Sequence, residues 1–133
     1  MPPHPLRLNP GDDLRLALEA WSRPYRSAFV IAGIGSLHDA RIRWAGAAEA
    51  ETVEGPLEII SLSGSLSPDG AHLHIAVADA QGQVRGGHLA AGSRVRTTAE
   101  VLVADLPGWQ FRREQDAGTG YPELVIHPRR HPG

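Results

Sequence analysis

From Ala28 onward the chain is written in short aliphatic and β-branched runs punctuated by glycine, a pattern that commits it to a mostly strand domain. The runs are Ala28 to Ile34, Ala40 to Trp44, Leu57 to Leu66, Ala71 to Ala78, Val95 to Ala104, Trp109 to Arg113 and Leu124 to His127. Ahead of them, Pro5 to Leu8 reads as a strand and Asn9-Pro10-Gly11 as a turn. A helix follows, with Asp12 as its N-cap and Asp13 in its first turn. Leu14, Leu18 and Trp21 recur at spacings of four and three, which lays one apolar stripe along it, and Pro24 ends it. Ala45 to Thr52 is a connector of small and acidic residues. Ser67-Pro68-Asp69-Gly70 is a turn signal between two strands, so that pair is expected to form a hairpin.

At 133 residues the chain is expected to be one domain, 1–133, with its core over about 6–126 and a tail at 127–133 that has little to pack. Its longest apolar run, Ala28 to Ile34, is interrupted by Gly33 and falls far short of the roughly 18 residues of a membrane-spanning helix. The opening MPPHPLR has no basic segment followed by an apolar stretch, so a soluble, cytoplasmic protein is expected. The chain has no cysteine, which excludes disulfides, thiolate nucleophiles and thiolate metal ligands. All thirteen basic residues are arginine, and the absence of lysine excludes Schiff-base chemistry and the phosphate-binding lysine of a nucleotide loop. A net charge of -2 gives no global reason to bind a polyanion.

The stretch Ala71-His72-Leu73-His74-Ile75-Ala76-Val77-Ala78 carries the most chemistry. As a strand it points Leu73, Ile75 and Val77 to one side and His72, His74, Ala76 and Ala78 to the other. The two histidines then stand about 6.6 Å apart at Cα, close enough for both rings to reach one ion. His88 follows Gly86-Gly87 after a turn at Gln81-Gly82, a spacing that can fold the next segment back beside the first, and glycines there permit close backbone approach. Three imidazoles with a position left open are the ligand set of a catalytic or exchangeable zinc site, although other first-row metals also accept them. The same alternation also fits a half-exposed polar face. His4, His38, His127 and His131 are read as ordinary surface residues.

Leu8-Asn9-Pro10-Gly11-Asp12-Asp13-Leu14, Gly33-Ile34-Gly35-Ser36-Leu37, Gly55-Pro56-Leu57-Glu58-Ile59-Ile60-Ser61-Leu62-Ser63-Gly64-Ser65, His72-Leu73-His74, Gly86-Gly87-His88-Leu89, Thr98-Ala99-Glu100 and Thr119-Gly120-Tyr121-Pro122-Glu123-Leu124 occur in that order. Together they resemble the PPC domain, the plant-and-prokaryote-conserved domain of unassigned function, over about Leu6 to Ile126. The resemblance implies an α+β fold, a twisted, mostly antiparallel sheet with one or two packed helices, assembled as a homotrimer. It also implies a zinc site on His72, His74 and His88.

Plant relatives join this domain to an AT-hook, which raises a DNA-associated regulatory module as one reading of the chain. Ser22-Arg23-Pro24-Tyr25-Arg26 has neither the glycine nor the flanking basic residues of such an arm. Arg112-Arg113 and Arg129-Arg130 are read as solvated surface or intersubunit partners of acidic groups. A second likeness, to the zinc-dependent acetolactate decarboxylases, motivates a small zinc-dependent lyase or hydrolase acting on a carboxylate metabolite. In that reading Glu100 moves a proton or supports a ligand, and Arg43 pairs with the carboxylate. Both residues also suit a sheet surface or a subunit interface. Ser61, Ser63 and Ser65 lie in no nucleophile elbow, and Gly33-x-Gly35 lacks the third glycine of a dinucleotide loop and reads as a tight strand-to-turn passage.

Overall fold

The computed structural model describes residues 3–130. In chain order the elements are β1 (Pro3–Leu8), α1 (Leu14–Ser22), β2 (Ala28–Arg43), β3 (Glu51–Ser67), β4 (Gly70–Ala78), β5 (Val84–Leu89), β6 (Val95–Asp105), β7 (Trp109–Gln115) and β8 (Pro122–Pro128). Six strands form one antiparallel sheet in the order β1-β6-β2-β3-β4-β5, and β7 pairs with β8 in a separate ribbon. The architecture is the expected single domain, mostly antiparallel sheet, with one helix among the described residues, within the one or two expected.

The sheet curls back on itself because β2 is long and irregular. Its first part, from Ala28 to Leu37, lies between β3 and β6. At its far end, Ile42 and Arg43 pair with Leu89 and His88 of β5, which closes β2-β3-β4-β5 into a small barrel. Register shifts at Val30/Ala32, Gly35/Leu37 and Leu37/Asp39 supply the bends that closure requires. Two expectations are corrected here. Ala28 to Ile34 and Ala40 to Arg43 belong to one 16-residue strand, with Trp44 just past its end, and Gly33-x-Gly35 lies inside it rather than at a turn. Gly35 is glycine because φ is +144° and a Cβ would stand 2.4 Å from the Thr98 carbonyl oxygen, so β6 could not otherwise approach.

The barrel interior and the helix share one core. Leu37, Ile42, Leu62, Leu73, Ile75, Val77 and Leu89 fill it, and Leu14 and Leu18 of α1 join them as the apolar stripe requires. The helix therefore covers the face from which Leu73 points and leaves the histidine face of β4 to the other side of the sheet. Asp13, not Asp12, is the N-cap. Its Oδ1 accepts the Leu16 amide at 3.1 Å from extended backbone, while Asp12 turns back to accept the Asn9 amide at 2.8 Å. Strand β3 begins at Glu51 and so takes in the end of the expected connector. The tail expectation is also amended. Pro128 closes β8 and the Arg129 amide donates to the Gly108 carbonyl at 2.9 Å, whereas residues 131–133, with His131, lie outside the described residues.

The β7-β8 ribbon is held against the sheet by two small polar groups. Ser27, fully buried, donates to the Trp109 carbonyl at 2.7 Å and accepts the Phe111 amide at 3.0 Å. Asp69, in the turn between β3 and β4, accepts the Arg113 amide at 2.8 Å. These two anchors fix which side chains β7 delivers to the sheet.

Candidate metal centre

Three strands build the site by register alone. His72 and His74 alternate with Leu73 and Ile75, which are 1% and 3% exposed, so burial of one face turns both imidazoles to the other. On β5, His88 stands directly opposite His74. On β3, Ser63 opposes His74 and Ser65 opposes His72. Strand β5 can fit between β4 and β2 because residues 86 and 87 lack side chains. A Cβ at Gly86 would lie 2.6 Å from the Ile75 carbonyl oxygen, and one at Gly87 the same distance from that of Arg43.

The rings meet as the spacing anticipates. Ring centroids are 5.2 Å apart for His72 and His74, 5.3 Å for His72 and His88, and 4.7 Å for His74 and His88. One nitrogen from each ring lies within 4.8 Å of the others, so the three could hold one metal ion. His72 and His88 are half-buried and His74 is exposed, which leaves the cluster open to solvent on one side.

Two guanidinium groups flank it. Arg113 Nη2 lies 3.0 Å from His72 Nδ1 and donates to Ser65 Oγ at 2.7 Å. Arg43 opposes His88 across β2 and β5, and its Nη1 donates to the Ala47 carbonyl at 3.0 Å. Burial, then the Arg113 charge and the neighbouring imidazoles, hold His72 below its ordinary pKa of 6.5, with Glu123 opposing. Burial, then Arg43 and His74, do the same for His88. Both rings are thereby biased toward the neutral form, the one that ligates metal.

The other sequence candidates are dispersed. Glu100 is exposed on β6, opposite Arg7 and Ile34, and lines a separate hollow of about 820 Å³ with them. Among the described residues, the charged groups acting on His72 and His88 are Arg113, Arg43 and Glu123, not Glu100. His4 packs its ring against Trp21 and Tyr25, and His38 and His127 are exposed. Ser65 is buried beside His72, while Ser61 and Ser63 are exposed. The arginine pairs do not behave as pairs. Arg112, Arg129, Arg130 and Arg26 line one hollow with Glu114, whereas Arg113 points to the imidazoles. Sequence reading missed Arg113, although alternation carried the signal: it shares a face with Phe111, which is 2% exposed.

With this geometry in view, comparison with known proteins is decisive for the family. The family model of the Plants and Prokaryotes Conserved (PCC) domain matches residues 1–107. The chain belongs to the PCC domain family. A protein from Synechococcus named bifunctional protein GlmU is 48% identical over 96% of this chain, which spans only 21% of that protein's length. This PCC domain is also similar to a solved hypothetical protein from Salmonella, with a TM-score of 0.92, 39% identity and coverage of 96% of this chain and 94% of that one. A solved protein from Archaeoglobus fulgidus, described as metal-containing, matches with a TM-score of 0.79 at 30% identity over 94% of both chains. Among the described residues, no helix is long and apolar enough to cross a membrane.

Proposed function

We propose that this PCC domain binds a divalent metal ion, zinc first among those that favour imidazole, on His72, His74 and His88. The observation that carries the reading is the meeting of three imidazole donors within 4.8 Å on one open face, with His72 and His88 biased toward the neutral form. The metal-containing relative from Archaeoglobus supports it. A three-imidazole set leaves room for a small ligand, and zinc held in that way supplies Lewis acidity to a bound oxygen group. The chain's own residues position that ligand: His88 and His74 are fixed by strand register, and the flanking arginines favour a carboxylate. A zinc-dependent lyase or hydrolase is the enzymatic form of this reading. Titration of the purified protein against a chromophoric zinc chelator tests it. One zinc per chain, lost in His74→Ala, is expected; no uptake by the wild type overturns the reading.

The homotrimer implied by family resemblance is proposed on the ground of exposed apolar surface. Phe29, Ile31 and Ile34 on β2 are 38%, 53% and 56% exposed, and apolar strand residues left to water are what a subunit interface would cover. Sedimentation should give three times the chain mass, and a monomer would exclude it.

A DNA-associated role is the second reading, favoured by the hollow of about 920 Å³ where Arg26, Arg112, Arg129 and Arg130 converge. The Ser22 to Arg26 segment does not act as a free arm, because Tyr25 stacks on Trp21 with centroids 4.5 Å apart. Binding to A·T-rich duplex that weakens steeply with salt would favour this role, and absence of binding at low salt would eliminate it.

A further inference from the structure

We infer that Arg113 is a displaceable guard of the metal centre, which turns from His72 to a small carboxylate once the metal is bound. This inference rests on the metal-binding reading above and adds the residue that selects the ligand and the exchange by which it does so.

The inventory of donors and acceptors forces the exchange. A guanidinium has five N–H donors and no acceptor, so the 3.0 Å contact requires His72 Nδ1 to accept. A neutral imidazole has one lone pair and one N–H. If the metal takes Nδ1, it takes the lone pair that Arg113 now uses. If it takes Nε2, the proton must sit on Nδ1, which then faces Arg113 as a second donor. On either nitrogen, metal ligation by neutral His72 and the Arg113 hydrogen bond are mutually exclusive.

The released guanidinium cannot go far. Its backbone amide is held by Asp69 at 2.8 Å, and its side chain keeps Ser65 Oγ at 2.7 Å. It is left beside a dication, with Arg43 on the opposite flank at His88, no carboxylate among the three ligands, and Glu123 as the one acidic group acting on His72, so two guanidinium charges and the metal outweigh it. An anion is what such a field favours, and a planar carboxylate can take one oxygen to the metal and the other to the arginine fork. Arg43, already donating to Ala47, adds charge without needing to move.

The test uses cobalt(II) in place of zinc, because its visible bands report changes in the coordination shell, with acetate as the probe and acetamide as the neutral isostere. In the wild type, acetate should perturb the bands saturably and acetamide should not. Arg113→Gln should bind cobalt at least as tightly as the wild type, since the competitor for His72 is gone. It should bind acetate about 10- to 100-fold more weakly, the loss of one charge-assisted contact. Arg113→Lys, which keeps the charge but not the fork, should fall between and guards against a folding defect in Arg113→Gln. Weaker cobalt binding by both variants, with unchanged melting, would make Arg113 a support of the site and overturn the inference. So would an acetate isotherm unaffected by either substitution. Absence of cobalt bands in the wild type would overturn the metal reading itself, and this inference with it.

Discussion

Replacing Gly87 by alanine asks whether close approach of β5 to β2 both closes the barrel and sets the site. A Cβ at this position would lie 2.6 Å from the Arg43 carbonyl oxygen and 2.9 Å from Cγ2 of Ile42. Neither neighbour can give way, since one is backbone in a paired strand and the other is fully buried in the core. Overpacking of this kind costs about 1–3 kcal/mol. For a domain of this size that lowers the melting temperature by roughly 3–15 °C. The strand must also move away from β2 and carry His88 with it. Metal–ligand distances tolerate only about 0.2 Å, so a shift of a few tenths of an ångström should weaken zinc binding tenfold or more. Thermal unfolding of the metal-free protein and zinc competition titrations measure the two effects. Gly108→Ala is the control, because its φ is ordinary and nothing lies within 4 Å of its Cβ position. A Gly87→Ala protein that melts like Gly108→Ala and binds zinc like the wild type would refute the reasoning.

Acid should destabilise the metal-free protein. His72 and His88 are held below their ordinary pKa, so the unfolded chain binds more protons than the folded one as pH falls through about 6.5. Stability then drops progressively down to the folded-state values, and a melting temperature that stays flat from pH 7.5 to 5.5 would contradict this. In the core, Leu62→Ala removes a side chain that is 1% exposed and lies against Gly33, and should cost about 2–5 kcal/mol in chemical denaturation. A loss below 1 kcal/mol would mean that β2 and β3 are not packed as described.

The parts of this domain written in local pattern were legible from sequence, and those that depend on closure were not. Alternation in β4 was enough to place His72 and His74 on one face, and the two glycines before His88 signalled a strand pressed between neighbours. The continuity of β2 was hidden because its bulges break the alternation at Gly35 and Asp39, which imitates a turn. The Asp12-Asp13 pair offers two caps of equal propensity. The choice of Asp13 is made at long range, by the Gly92 amide that its second carboxylate oxygen accepts at 2.6 Å. Arg113 is the instructive case. Side by side in sequence, Arg112 and Arg113 look like one basic patch, yet a strand sends them to opposite faces, and only the Ser27 and Asp69 anchors determine which face meets the imidazoles. Glu100 shows the converse, since its spacing in a resembling motif says nothing of the sheet order that sets β6 two strands away from β3.

X-ray absorption of the zinc-loaded protein tests the central claim most directly. The account requires a first shell of three imidazole nitrogens at about 2.0–2.1 Å with the multiple scattering that identifies the rings, completed by an oxygen that exchanges with added acetate. A shell of oxygen atoms alone, or one filled by four protein donors and indifferent to acetate, would contradict it.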